Sequence, residues 1–170
     1  IDYKVINLNH SFNTLLKELE ANVNKITQNQ NSKKIARANL KPRLRMTVLY
    51  YYANLNNYLV VGTDNKSELK LGYFTKYGDG GIDIAPLGNL VKTEVKKIAE
   101  ILNIPKPIIN KKPSAGLWEG QNDENELGIS YKKIDKYILT GKADNKTKKI
   151  EDKYSYQNQH KLKPPTIPEF

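Results

Sequence analysis

Cysteine is absent from the 170 residues, which excludes disulfides and thiolate metal sites and fits a reducing, cytoplasmic setting. Histidine is scarce. His10 and His160 are the two present, too few for a three-histidine metal centre, and no Ser/His/Asp or Cys/His constellation is evident. No phosphate loop of the Gly-x-x-x-x-Gly-Lys-Ser/Thr type occurs. Apolar runs are short, none approaching the roughly 18 residues that a membrane span needs. The first residues, Ile1-Asp2-Tyr3-Lys4, are too polar for a signal peptide and do not begin with Met, so they read as the middle of something. Any catalysis is therefore expected to work by charge placement around a phosphorylated substrate, without covalent intermediates on the protein.

Basic residues are abundant. The net charge is +10, which raises the local concentration of anions, whether nucleic acid, membrane or a phosphorylated small molecule. Eleven tyrosines add stacking surfaces of the kind that single-stranded nucleic-acid binders use. Many of the lysines, however, lie in Lys/Asn-rich stretches such as Lys142 to Lys153, which read as solvated surface. The length suffices for one domain with a core.

Periodicity places the elements. A weak alternation at Val5, Ile6 and Leu8 predicts a short strand over 3–8, after which Ser11 caps a helix with Leu15, Leu19, Val23 and Ile26 on its face. Residues 27–36 are polar and predict a surface loop. A second helix is expected from Asn39 as cap, with Pro42 in its first turn and a stripe of Met46, Leu49, Tyr50 and Ala53. The apolar run 58–62 predicts a strand. Val91, Val95, Ile98 and Leu102 form a third helical face, stopped by Asn103 and Pro105. Residues 105–122 read as a long irregular segment. Asp123 with Glu126 suggests a capping box for one helix carrying Leu127, Tyr131, Ile134 and Ile138, and a poorly amphipathic helix follows over roughly 145–159. Helices alternating with few short strands point to an α/β fold.

The chemistry gathers after the strand at 58–62. Thr63, Asp64 and Glu68 stand where open α/β sheets bind ligands. The Thr63 hydroxyl suits a phosphate or ribose and Glu68 suits Mg²⁺, while Thr63 or Asp64 equally suits a helix cap. In Phe74-Thr75-Lys76-Tyr77-Gly78-Asp79-Gly80-Gly81-Ile82-Asp83, the glycines permit positive φ and close backbone approach. Free N–H groups there, with Lys76, would cradle phosphate oxygens. Arg43 and Arg45 flank the stripe of the second helix and read either as anion-binding forks or as surface cations. Lys92 opens a helix whose dipole already favours an anion, so a phosphate partner or plain exposure accounts for it. Ser114 either holds a phosphate or shapes a turn.

Several stretches together resemble ammonia-dependent NAD synthetase, of the ATP-pyrophosphatase group. They are Ala-Asn-Leu-Lys-Pro-Arg-Leu-Arg-Met (38–46), Val-Gly-Thr-Asp-Asn-Lys-Ser-Glu (61–68), and Gly-Tyr-Phe-Thr-Lys-Tyr-Gly-Asp-Gly-Gly-Ile-Asp-Ile (72–84). They continue in Lys-Lys-Pro-Ser-Ala-Gly-Leu-Trp-Glu-Gly-Gln-Asn-Asp-Glu (111–124), Leu-Gly-Ile-Ser-Tyr (127–131) and Gln-His-Lys (159–161). The resemblance implies a Rossmann-like adenine nucleotide α-hydrolase fold, an incomplete parallel sheet with flanking helices, over a single domain spanning 1–170. It implies a homodimer that joins ammonia to deamido-NAD with ATP and Mg²⁺, and binds neither nucleic acid nor membrane. By similarity Thr63, Lys92 and Ser114 fall on ATP, and Glu68 on Mg²⁺. Arg43, Lys76, Asp83, His160, Lys161 and Asn39 fall on deamido-NAD. The family's Ser-Gly-Gly-x-Asp-Ser pyrophosphate loop does not occur in these residues, so the chain is expected to be the C-terminal part of such an enzyme and poorly active alone. Two other readings are a basic nucleic-acid-binding module and a related ATP-pyrophosphatase acting on another acid.

Overall fold

Residues 2–22 and 29–169 are described by the structure, a computed structural model. It is mostly helical. Helix α1 spans Asn9–Ala21 and α2 spans Gln30–Asn56, followed by α3 (Lys66–Leu71), α4 (Lys92–Ile101) and α5 (Lys106–Ile109). Then come α6 (Asp123–Leu127), α7 (Tyr131–Thr140), α8 (Asn145–Asn158) and a 3₁₀ turn at Gln159–Lys161.

The predicted α/β sheet is reduced, among the described residues, to one parallel bridge between Val61 and Ile84. Gly62 N–H donates to Ile84 O (2.8 Å), and Ile84 N–H to Val60 O (3.2 Å). Pro86 lies two residues on and has no N–H with which to continue such a ladder. Residues 3–8 form no strand: Tyr3 and Val5 are both exposed, so nothing rewards the alternation.

Two helix boundaries also differ from expectation. Helix α2 begins at Gln30, capped by Asn29, whose side chain accepts the N–H groups of Asn31 and Ser32. Residues 30–36 are thus helical, Asn39 is interior, and Pro42 sits buried mid-helix against the glycine-rich loop near Gly78. Thr27 and Gln28 of the predicted loop, and Val23 and Ile26 of the predicted α1 face, lie outside the described residues. In α1, Ser11 is an interior residue and Leu8 is the cap position. The expected helix from Asp123 is two helices, because Gly128 adopts φ +71° and ends α6. The α6 cap is Asn122, accepting Asn125 N–H at 3.0 Å.

The core collects where these helices meet. Leu71, Leu127, Ile129, Tyr131 and Ile134 are buried together, with Tyr73, Ile138, Ile150 and Tyr154 packed around them. Apolar burial of this kind contributes about 25 cal/mol per Å². The ends of α3 and α6 are therefore fixed against α7 and α8, and the loops that leave them inherit that rigidity. No helix among the described residues is long and apolar enough to cross a membrane.

Candidate functional site

The site begins with a cap. After the bridge at Val61, the chain turns into α3 through Asn65, whose side chain accepts Ser67 N–H (3.0 Å) and Glu68 N–H (3.2 Å), while Glu68 Oε2 accepts Asn65 N–H (2.9 Å). This reciprocal box satisfies the first donors of the helix. Thr63 and Asp64, the two residues that sequence offers as caps, are left to face the space beyond.

That space is a cavity of about 760 Å³, within the range of small-molecule sites. Thr63, Glu68, Lys92, Ser114, Asn39 and Lys161 line it, although they come from five separate stretches of sequence. Lys92 Nζ lies 2.7 Å from Glu68 Oε1. Asn39 Oδ1 accepts the Thr75 hydroxyl at 2.9 Å. Lys161 Nζ donates to Gly72 O and Phe74 O, both at 2.7 Å, and burial lowers its pKa. Ser114 Oγ accepts Gly116 N–H at 3.1 Å; the hydroxyl shapes the turn and borders the cavity at once.

Arg43, Lys76 and His160 stand beside the cavity as a linked group. Arg43 Nε donates to Lys76 O (3.3 Å), and Lys76 Nζ donates to His160 O (2.7 Å). They connect with the lining through the neighbouring residues Pro42 and Lys161. Asp83 is placed differently. Its carboxylate accepts Tyr50 OH (3.0 Å) and Val60 N–H (2.8 Å), fixing the exposed edge of the bridge.

The glycine-rich loop departs from its expected role. Gly78, Gly80 and Gly81 N–H groups donate to Thr75 O, Thr75 O and Gly78 O, so these donors are consumed inside the turn. None of the three has positive φ; Tyr77 does, at 60°. Their need for glycine is spatial. A Cβ on Gly80 would collide with the Phe74 ring, and one on Gly81 would press on Met46.

Sequence reasoning did not assign the acidic and phenolic side of the cavity. Asp123 is buried, and its carboxylate lies 3.4 Å from both Tyr73 OH and Tyr131 OH. Burial raises its pKa, and Lys92 opposes that rise. Burial likewise raises the Tyr73 and Tyr131 phenols far above their usual range. Asp64 is 7 % exposed, and its Oδ2 has no hydrogen-bond partner among the described residues. Burial first, then the charges of Asp79 and Glu68, push its pKa up to about 7, against the pull of Lys92. The adjacent Thr63 and Asn65 gave no sign of this, because burial is a tertiary property.

The folded pKa of Asp64 lies above the model-compound value of 3.8, so the folded state holds the extra proton between about pH 4 and 7. Its contribution to stability is then lost as pH rises through that window. Asp64→Asn is expected to raise the Tm relative to the unsubstituted chain, and by clearly more at pH 8 than at pH 5. Thermal melts at the two pH values check it, and an equal shift at both contradicts it.

Comparison with known proteins gives a consistent picture. A family model described as NAD synthase matches residues 1–165. The NH(3)-dependent NAD(+) synthetase of Carboxydothermus hydrogenoformans is 48% identical over 168 residues, covering 99% of this chain and 67% of that protein. That of Finegoldia magna is 47% identical, covering 93% and 61%. Among solved structures, NMN synthetase from Francisella tularensis superposes with a TM-score of 0.90 at 36% identity, covering 100% of this chain and 68% of that one. The NH3-dependent NAD synthetase from Campylobacter jejuni, in complex with the nitrate ion, gives 0.70 at 30% identity, covering 99% and 66%. The chain thus spans about two thirds of the length of these relatives.

Proposed function

The chain belongs to the NAD synthase family, and on that premise we propose that it serves the amidation of deamido-NAD by ammonia at the expense of ATP. A deamido-NAD carboxylate oxygen attacks the α-phosphorus of ATP and pyrophosphate leaves. Ammonia then adds to the activated carbonyl carbon, AMP departs, and the nitrogen loses a proton. The observation that carries this reading is the convergence of Asn39, Thr63, Glu68, Lys92, Ser114 and Lys161 on one cavity. Hydroxyls and lysines so gathered are suited to phosphate oxygens and to charge developing during the reaction.

Within that reading, Thr63, Lys92 and Ser114 contact ATP. Arg43, Lys76, His160 and Lys161 meet the dinucleotide, with Asn39 alongside; Asp83 holds the edge on which it rests. Mg²⁺ is usually bound by one or two carboxylates together with substrate phosphates, and Glu68, a hard oxygen donor on the cavity wall, fits that pattern. Bound there, the ion would neutralise charge on the leaving pyrophosphate. Tyr51 and Leu55 lie exposed one helical turn apart on α2, and apolar side chains left in solvent this way support a homodimer. A cytoplasmic location, and no role for nucleic acid or membrane, complete the proposal.

The Ser-Gly-Gly-x-Asp-Ser pyrophosphate loop is not among these 170 residues, so we expect them by themselves to form little NAD. The test measures AMP and NAD from ATP, Mg²⁺, ammonia and deamido-NAD, with and without an added segment carrying that loop. Arg43→Ala and Lys76→Ala are each expected to weaken deamido-NAD binding by about 10- to 100-fold, the scale of one charge-assisted contact at 1.5–3 kcal/mol. Unchanged binding in both variants would remove deamido-NAD as the substrate. One observation favours a second reading, the close superposition on an NMN synthetase, which suggests the corresponding acid mononucleotide. Comparing kcat/KM for the two acids decides between them.

A further inference from the structure

Helix α4 caps one N–H from within itself, that of Val91, which Glu94 Oε2 accepts at 2.9 Å. Its cap position is Val91, which offers no side-chain acceptor, yet the first N–H groups of a helix need partners. They find them on two other helices. Lys92 N–H donates to Ser67 Oγ of α3 at 3.1 Å, and Thr93 N–H donates to Asp135 Oδ2 of α7 at 2.7 Å. The Ser67 hydroxyl in turn donates to Asp135 Oδ1 at 2.5 Å. Asp135 is 2 % exposed and Ser67 is fully buried, so the node is closed to solvent.

The arrangement has a consequence for Lys92. The position at the helix N-terminus where a phosphate is expected already holds an internal carboxylate, which satisfies the helix dipole. An external anion is left to the Lys92 side chain. That side chain is held from α3 as well, through Glu68, the residue after Ser67. One short helix therefore fixes Lys92 at its backbone and at its ammonium, and Asp135 locks that helix to α4.

Building on the reading above, we propose that Asp135 and Ser67 are positioning residues that set Lys92 for recognition of the ATP phosphates. Neither lines the cavity; both act through Lys92. A group held this way costs little reorganisation when the ligand arrives, whereas misplacement by about 1 Å costs up to about 100-fold.

Two variants test the proposal, Ser67→Ala and Asp135→Asn, with two measurements. Amide hydrogen exchange on the chain should show Lys92 and Thr93 losing protection by about tenfold or more, while Leu71 and Ile134 keep theirs. Steady-state kinetics, on whichever form turns over in the assay above, should show KM for ATP rising about tenfold with KM for deamido-NAD within about twofold. Protection lost equally throughout the chain would mean that the pair merely holds the fold, and overturns the proposal. So would equal rises in both KM values. Ser67→Ala removes a single hydroxyl, so it keeps the test decisive if Asp135→Asn folds poorly. An unsubstituted protein that forms no NAD in any form counts against the reading under Proposed function. In that case the exchange pattern still decides whether the shared cap exists.

Discussion

In the form that turns over once a segment carrying the pyrophosphate loop is supplied, Lys92→Ala is expected to lower kcat/KM for ATP-dependent amidation by about 100-fold or more, the usual scale for removing a group that meets developing charge. Lys92 is the cation that faces the acidic wall of the cavity. It pairs with Glu68 at 2.7 Å and opposes the rise in pKa of both Asp64 and Asp123. Its removal leaves those carboxylates without compensation, so the loss should be steeper at pH 8 than at pH 6. Lys92→Arg should recover only part of the activity, since a planar fork does not reproduce a compact ammonium at this spacing. Steady-state kinetics at the two pH values, with circular dichroism to verify folding, make the check. A loss below about fivefold would place Lys92 outside the reaction.

The second large effect concerns stability. Leu71→Ala is expected to cost about 3–5 kcal/mol, the range for truncating a buried leucine where the surroundings cannot collapse. Leu71 is fully buried at the end of α3, against Leu127, Ile129, Tyr131 and Ile134. For a chain of this size that corresponds to a fall in Tm of about 10 °C or more. The damage should reach the cavity, because the next residues carry it. Leu71 O accepts Asn158 Nδ2 at 3.0 Å, and Gly72 O accepts Lys161 Nζ. Leu15→Ala on α1 serves as the control. Its side chain is partly exposed and α1 has no buried residue, so a change below about 1 kcal/mol is expected. Comparable losses in the two variants would mean that the core is not where the packing places it.

Some elements were legible from local pattern alone. Helix α4 follows the apolar spacing from Val91 to Ile98, and α8 lies within a residue of its expected span. The pattern misleads where two elements share a face. Leu127, Tyr131 and Ile134 keep helical spacing across a break, because α6 and α7 present their apolar sides to the same core. Periodicity reports which residues are buried, and Gly128 decides that they belong to two helices. In α2 the polar run at 30–36 reads as loop, yet Arg37 pairs with Glu20 of α1 and Lys41 Nζ donates to Leu117 O. Tertiary contacts override weak local preference there.

For the site, the residue strings carry the family and name six groups that line the cavity, Asn39, Thr63, Glu68, Lys92, Ser114 and Lys161; Arg43, Lys76, Asp83 and His160 lie outside that lining. Sequence alone determined that these residues include hydroxyls, lysines and carboxylates suited to a phosphorylated guest. Only the tertiary structure decided that Ser67 meets Asp135, that Asp64 is buried, and that Lys92 and Glu68 face each other. The physical reason is range. Spacing along a chain encodes neighbours one helical turn apart, whereas desolvation and pairing here join groups separated by 24 to 68 positions.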